Sequence, residues 1–162
     1  MGYWDRLIGV AVILFFCAGC TDHLQEGTDA YKERNYAAAL KELQPLADKG
    51  DAVAQLYIGF MYDNGEGVPV DYRQAVVWYR KSAEQGNANA QYNLAMMHAN
   101  GLYVPQDWVQ ALKWFNLAAL SGDQEAAKAG KVAESNMAPE QVKEAWAMAN
   151  KWKEEHQATS RK

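Results

Sequence analysis

Three glycines, Gly50, Gly86 and Gly122, stand at a constant spacing of 36 residues, and the sequence between them recurs in step. Setting 50–85 over 86–121 without a gap matches 14 positions: Gly50, Ala52, Ala54, Gln55, Met61, Asn64, Gly65, Val68, Pro69, Asp71, Gln74, Ala75, Trp78 and Ala83 each return 36 residues on. Ordinary residue frequencies would match about two or three. A period of this length is the signature of a stacked helical array, in which each unit buries its apolar face against its neighbours. The fold class that follows is all-α: a right-handed alpha-alpha solenoid of antiparallel helix pairs, about three repeats long with C-terminal capping helices.

Within the period two helices alternate. Tyr72, Ala75, Val76, Tyr79 and Ala83 become Trp108, Ala111, Leu112, Phe115 and Ala119 in the next copy, an apolar face at i, i+3, i+4 and i+7. Asp71 and Asp107 are candidate N-caps for these helices, and Gly86 and Gly122 close them in the left-handed region. The first half of the period predicts helices over 52–63 and 88–99, with Ala54, Ile58, Met61 and Ala90, Leu94, Met97 inward, ended by Asn64-Gly65 and Asn100-Gly101. Val68-Pro69 and Val104-Pro105 then turn the chain, because proline disfavours helix at the residue before it. Gly59 and its counterpart Ala95 suit a close approach of two helix backbones. An earlier copy shows in Tyr36, Ala39, Leu40, Leu43, Ala47 and Gly50, with its first helix near 28–34. After 122, Pro139 opens a helix with Val142, Ala145, Trp146, Ala149 and Trp152 at core spacing, the expected cap on the last repeat. The solenoid is thus expected over 28–156, with repeats at 28–50, 51–86 and 87–122, a cap over 123–156 and a disordered tail over 157–162.

The amino-terminal segment reads differently. Leu7 to Ala18 is an apolar run of 12 residues behind Arg6, short for a span of about 30 Å of hydrocarbon and suited to a secretory signal peptide over 1–19. It ends in Cys17-Ala18-Gly19-Cys20, which resembles the bacterial lipoprotein signal box, although Cys17 stands where leucine is usual. The resemblance implies cleavage before Cys20, lipid attachment there, a linker over 20–27 and a stable membrane anchor. Thr21, rather than aspartate, follows that cysteine, which by the same analogy favours the outer membrane and a chain facing the periplasm. Both cysteines of the chain lie in this segment, so the folded body holds neither a disulfide frame nor a thiolate metal site. A net charge of −4 without a basic cluster argues against nucleic-acid binding.

Ala54-Gln55, Gly59, Met61-Tyr62, Gly65-Glu66-Gly67-Val68-Pro69, Asp71, Ala75, Trp78-Tyr79 and Gly86 resemble the motif of Sel-one-like repeats, longer relatives of tetratricopeptide repeats. The likeness is strong over 51–122 and weak over 28–50 and 123–156. The third copy departs from it with Ala95, His98 and Tyr103. The resemblance implies a non-enzymatic adaptor that binds another protein or peptide on its concave face, with no cofactor. The alternative is a binder, inhibitor or enzyme acting on cell-wall or beta-lactam ligands; the paired cysteines of relatives with such a link are missing here.

The residues themselves show no catalytic set. His98 replaces Tyr62 of the other copy and reads as a packed amphipathic side chain, while His23 and His156 have no partner at zinc-ligand spacing. Asp63, Glu66 and Asp71 cluster without a calcium-loop pattern, and Gly65 and Gly67 have no third glycine or lysine for a phosphate. The positions where the motif is loosest fall on one helical stripe, Val53, Tyr57 and Phe60, then Asn89, Asn93 and Met96. This stripe is the candidate partner surface, against the plain reading that Phe60 and Met96 pack between neighbouring helices.

Overall fold

The computed structural model describes residues 23–159, so the signal segment and Cys20 lie outside the described residues. Within them the chain forms eight helices and no strand: α1 (23–32), α2 (Tyr36–Asp48), α3 (Ala52–Asn64), α4 (Tyr72–Glu84), α5 (Ala88–Asn100), α6 (Trp108–Leu120), α7 (Gln124–Ser135) and α8 (Pro139–Thr159). From α2 to α7 each helix packs on the next, as a solenoid requires, whereas α8 turns back onto α6. No helix among the described residues is long and apolar enough to cross a membrane.

Local chemistry sets the ends of these helices. Asn35, Asp51, Asp71, Asn87, Asp107 and Asp123 each cap a helix by accepting a hydrogen bond from a backbone N–H two or three residues on, a contribution of about 1 kcal/mol apiece. The caps predicted at Asp71 and Asp107 are among them. Gly65 and Gly101 end α3 and α5 in the left-handed region, at φ +72° and +66°, as expected of those Asn-Gly pairs. The two long connections then run alike, Asp71 N–H donating to Tyr62 O at 2.9 Å and Asp107 N–H to His98 O at 3.0 Å. Tyr103 holds φ +60° where the other loop has Gly67 at +76°. The loop keeps its path despite the side chain, and the Tyr103 ring stacks on Tyr72 at 4.2 Å.

The interior is built from small residues facing large ones. A Cβ on Gly59 would stand 2.6 Å from the ring of Tyr79, so Gly59 admits an aromatic ring of α4 rather than a neighbouring backbone. Gly27 does the same for Leu43, and its helix is where the sequence reading falls short. α1 spans 23–32 rather than 28–34, and residues 23–27, expected as linker, are helical. The α1–α2 loop is shorter than the α3–α4 loop by four residues, which moves the close-approach glycine from the place of Gly59 to Gly27. At the other end α8 runs to Thr159, past the expected tail boundary at 157.

Consecutive pairs are joined by a buried side chain. Gln55 Nε2 donates to Ala47 O and Gln91 Nε2 donates to Ala83 O, each at 3.1 Å, so the first turn of one pair is tied to the last turn of the previous one. The end of the array is closed differently. Ala145 and Ala149 of α8 are fully buried and Trp152 meets Trp114 of α6 edge-on at 6.5 Å. Trp146, read as core, is 39% exposed: the buried stripe of α8 runs through Ala145, Ala149 and Trp152, and the Trp146 indole N–H donates instead to Glu134 of α7 at 3.1 Å.

Candidate functional site: an aromatic groove between α1 and α3

Tyr57 and Phe60 lie one turn apart on α3 and meet edge-on at 5.9 Å. Tyr31 of α1 joins them, edge-on to Tyr57 at 4.9 Å and stacked on Phe60 at 6.3 Å. These rings, with Lys32, Arg34 and Glu66, border an open groove of about 450 Å³. Glu66 fixes its floor by accepting from the hydroxyls of Tyr31, at 2.5 Å, and Tyr36, at 2.8 Å. Burial first, then the Glu66 carboxylate, raises the Tyr31 phenol above its ordinary 10, and Glu66 first raises that of Tyr36, so both stay protonated donors. Lys32 is paired with Asp29 at 2.7 Å, whereas Arg34 has no ion-pair partner among the described residues.

The candidate stripe therefore divides. Tyr57 and Phe60 border this groove with half-buried faces, and Val53, one turn before, is 38% exposed. Phe60 also packs edge-on to Tyr79 at 5.8 Å, so it serves the core and the groove together. Asn89 borders a separate concavity of about 560 Å³ with Tyr92 and Asp123, and Asn93 donates to the Asn89 carbonyl at 2.8 Å. Met96 packs against the core, the plain reading of that position. Sequence reasoning missed Tyr31 and Arg34, because the shorter first loop hides the register of α1, and read Tyr36 only as a repeat position of α2. Tyr31 comes one residue before Lys32, in a stretch without the motif.

Other side chains singled out in the sequence find structural partners. Asp71 caps α4, Glu66 holds the two tyrosines, and Asp63 accepts from the Tyr79 hydroxyl at 3.0 Å, so the three carboxylates do not converge on an ion. His23, without a partner at metal-ligand spacing in the sequence, has its Nδ1 2.8 Å from Glu42 and 3.7 Å from Glu26, a surface cluster made by packing α1 on α2. His156 stacks on Trp152 at 3.7 Å. His98 is buried on α5, 8% exposed, as its replacement of Tyr62 suggests.

The Sel1 repeat model matches residues 52–87 and 88–123, the α3–α4 and α5–α6 pairs. No curated protein matches the chain. Among solved structures, a protective antigen present in uropathogenic Escherichia coli strains and displaying an SLR fold superposes with a TM-score of 0.79 at 28% identity, over 85% of this chain. A Sel1 repeat protein from Oxalobacter formigenes superposes with a TM-score of 0.61 at 35% identity, over 64% of this chain. The chain spans only 30% and 43% of those two proteins, respectively. Two Sel1 repeats that coincide with two helix pairs, on a backbone that superposes on proteins of the SLR fold, are what this chain shares with the Sel1 repeat proteins.

Proposed function

We propose that the chain is a non-enzymatic interaction scaffold that takes a peptide segment of another protein into the groove between α1 and α3. The observation that carries this is the set of half-exposed rings, Tyr31, Tyr57 and Phe60, held in place by Glu66 and by one another. Rigid aromatic anchors bind at low entropic cost, and aromatic residues dominate binding hot spots. The unpaired Arg34 beside them favours a segment in which an acidic residue neighbours an apolar one. The two Sel1 repeats, a type that generally mediates protein–protein interaction, support the same reading.

The scaffold works in the cell envelope, tethered through lipid on Cys20 as an outer-membrane protein facing the periplasm. Support comes from the Cys17-Ala18-Gly19-Cys20 box behind its apolar run. Tyr57→Ala and Arg34→Glu are the variants of choice, since Phe60→Ala would also open the core at Tyr79. Affinity capture from envelope extracts should recover a partner with the parent chain and lose it with either variant, circular dichroism remaining unchanged. Equal recovery would discard the groove. For the tether, Cys20→Ser should move the chain from the membrane to the soluble fraction and abolish incorporation of labelled palmitate; unchanged partition would reject lipid attachment at that residue.

A further inference from the structure

A third cavity lies away from the aromatic groove, where α4, α5 and α6 meet. It holds about 330 Å³ and is lined by Arg80 and Glu84 of α4, His98 of α5, and Gln110, Lys113 and Trp114 of α6. Its chemistry departs from the repeat that builds it. One period earlier the same places hold Gln44, Asp48, Tyr62, Gln74, Val77 and Trp78. The tryptophan, the glutamine near the start of α4 and of α6, and an acidic residue recur, but Gln44, Tyr62 and Val77 are replaced by Arg80, His98 and Lys113. Three nitrogen bases have entered positions that the solenoid fills with neutral side chains.

None of the three has a hydrogen-bond or ion-pair partner among the described residues, although Arg80, like Glu84, is exposed to solvent. Gln44 donates to Asp48 at 3.0 Å, whereas Arg80 and Glu84 at the equivalent places make no hydrogen bond or ion pair. Lys113 has its ammonium 4.1 Å from the centroid of the Trp114 ring and no oxygen acceptor. The Nδ1 of His98 is buried without a hydrogen-bond partner, though the residue is 8% exposed. A buried polar nitrogen left unpaired is destabilising, as at His98 Nδ1, and so is the partial desolvation of the Lys113 ammonium.

We infer that this cavity binds a carboxylate group, which would accept from Arg80 and Lys113 beside the His98 imidazole. A carboxylate offers acceptor sites enough for both cationic donors, and the planar guanidinium of Arg80 suits its two oxygens. Charge decides against a dianion. With His98 neutral, Arg80 and Lys113 outweigh Glu84 by one positive charge inside the lining, which a single negative charge balances. The electrostatics of the lining agree. Burial holds His98 below its ordinary 6.5, Arg80 and Lys113 push it the same way, and Asp107 opposes them. Burial likewise lowers Lys113, with Arg80 adding to the shift and Glu84 and Glu155 opposing it. An anion in the cavity reverses the sign of the nearest field, so binding raises the pKa of both groups.

The test uses the chain from Cys20 onward, with Cys20→Ser, and follows the His98 imidazole by NMR during titration with acetate, with inorganic phosphate, and with a short peptide as the free acid and as its C-terminal amide. The expected result is a saturable shift of the His98 resonances with acetate, a His98 pKa that rises in its presence, and at least tenfold weaker binding in Arg80→Gln/Lys113→Val. That variant restores the residues of the preceding repeat and so should keep the fold, which circular dichroism checks. Free-acid peptide binding more tightly than acetate, with the amide inactive, assigns the carboxylate to a chain terminus; acetate binding as tightly as the peptide assigns it to a small molecule. No saturable shift with any probe, saturation by phosphate but not acetate, or an unchanged affinity in the variant would overturn the assignment.

Discussion

Tyr79 and Asp63 change together along the array. In the α3–α4 pair the hydroxyl of one donates to the carboxylate of the other, and one period later the same two places hold Phe115 and Ala99, both buried and neither polar. Burial first, then Asp63, raises the Tyr79 phenol, so the hydroxyl remains a donor at any working pH. Tyr79→Phe should cost about 1 kcal/mol, since the half-buried Asp63 can partly rehydrate. Tyr79→Phe/Asp63→Ala, which rebuilds the later pair, should recover most of that loss, and urea denaturation of the single and double variants measures the coupling. Additive losses would mean that the two side chains contribute independently. The gapless comparison of repeats already displays both substitutions, but not that they are one event, because residues 16 apart in sequence give no sign of contact until the connection between their helices has a shape.

The helices were the most legible part of the chain. Their caps, their glycine stops and the Val-Pro turns are local signals, each read by residues a few places away, and α3 to α6 end within a residue of where those signals put them. The start of α1 was not legible because its glycine is a tertiary signal: Gly27 looks like linker until Leu43 of α2 is seen against it. The junction between pairs offers a sharper case. Gln55 not only donates to Ala47 but accepts from Gln85 Nε2 at 2.8 Å, whereas Gln91 Oε1 is buried without a partner. The counterpart of Gln85 is Ser121, too short to reach, whose hydroxyl donates to Leu117 O at 3.3 Å. The two residues share a backbone conformation, φ −90° ψ 3° and φ −85° ψ 3°. Ser121→Gln should therefore stabilise the chain by about 1 kcal/mol, a rise in Tm of about 2–4 °C for a chain of this size. The gain should vanish in Ser121→Gln/Gln91→Ala, and thermal melts of the four chains decide it.

At the scale of the molecule the array is finished by α8 rather than by another unit of the same kind. Deleting 139–162 should uncover Trp114 and the face of α6 on which Ala145 and Ala149 sit, and light scattering should then report aggregation. Ala149→Asp, a charge at a fully buried position, should shift the full-length chain the same way. A soluble truncated chain of unchanged helicity would show that α8 is not a cap. The candidate site was half legible: the motif's loose positions led to Tyr57 and Phe60, but the groove needs α1, which the period does not describe. The glutamine that crosses from each pair to the one before it has a consequence for how such chains are made. Gln55 and Gln91 reach equivalent carbonyls across successive joints, while the hydrogen bond of Tyr79 with Asp63 lies within its own pair. A coding sequence can gain or lose one period at such a joint without renegotiating the contents on either side, so length is the cheap variable in this architecture and the interior of each pair is where individuality accumulates.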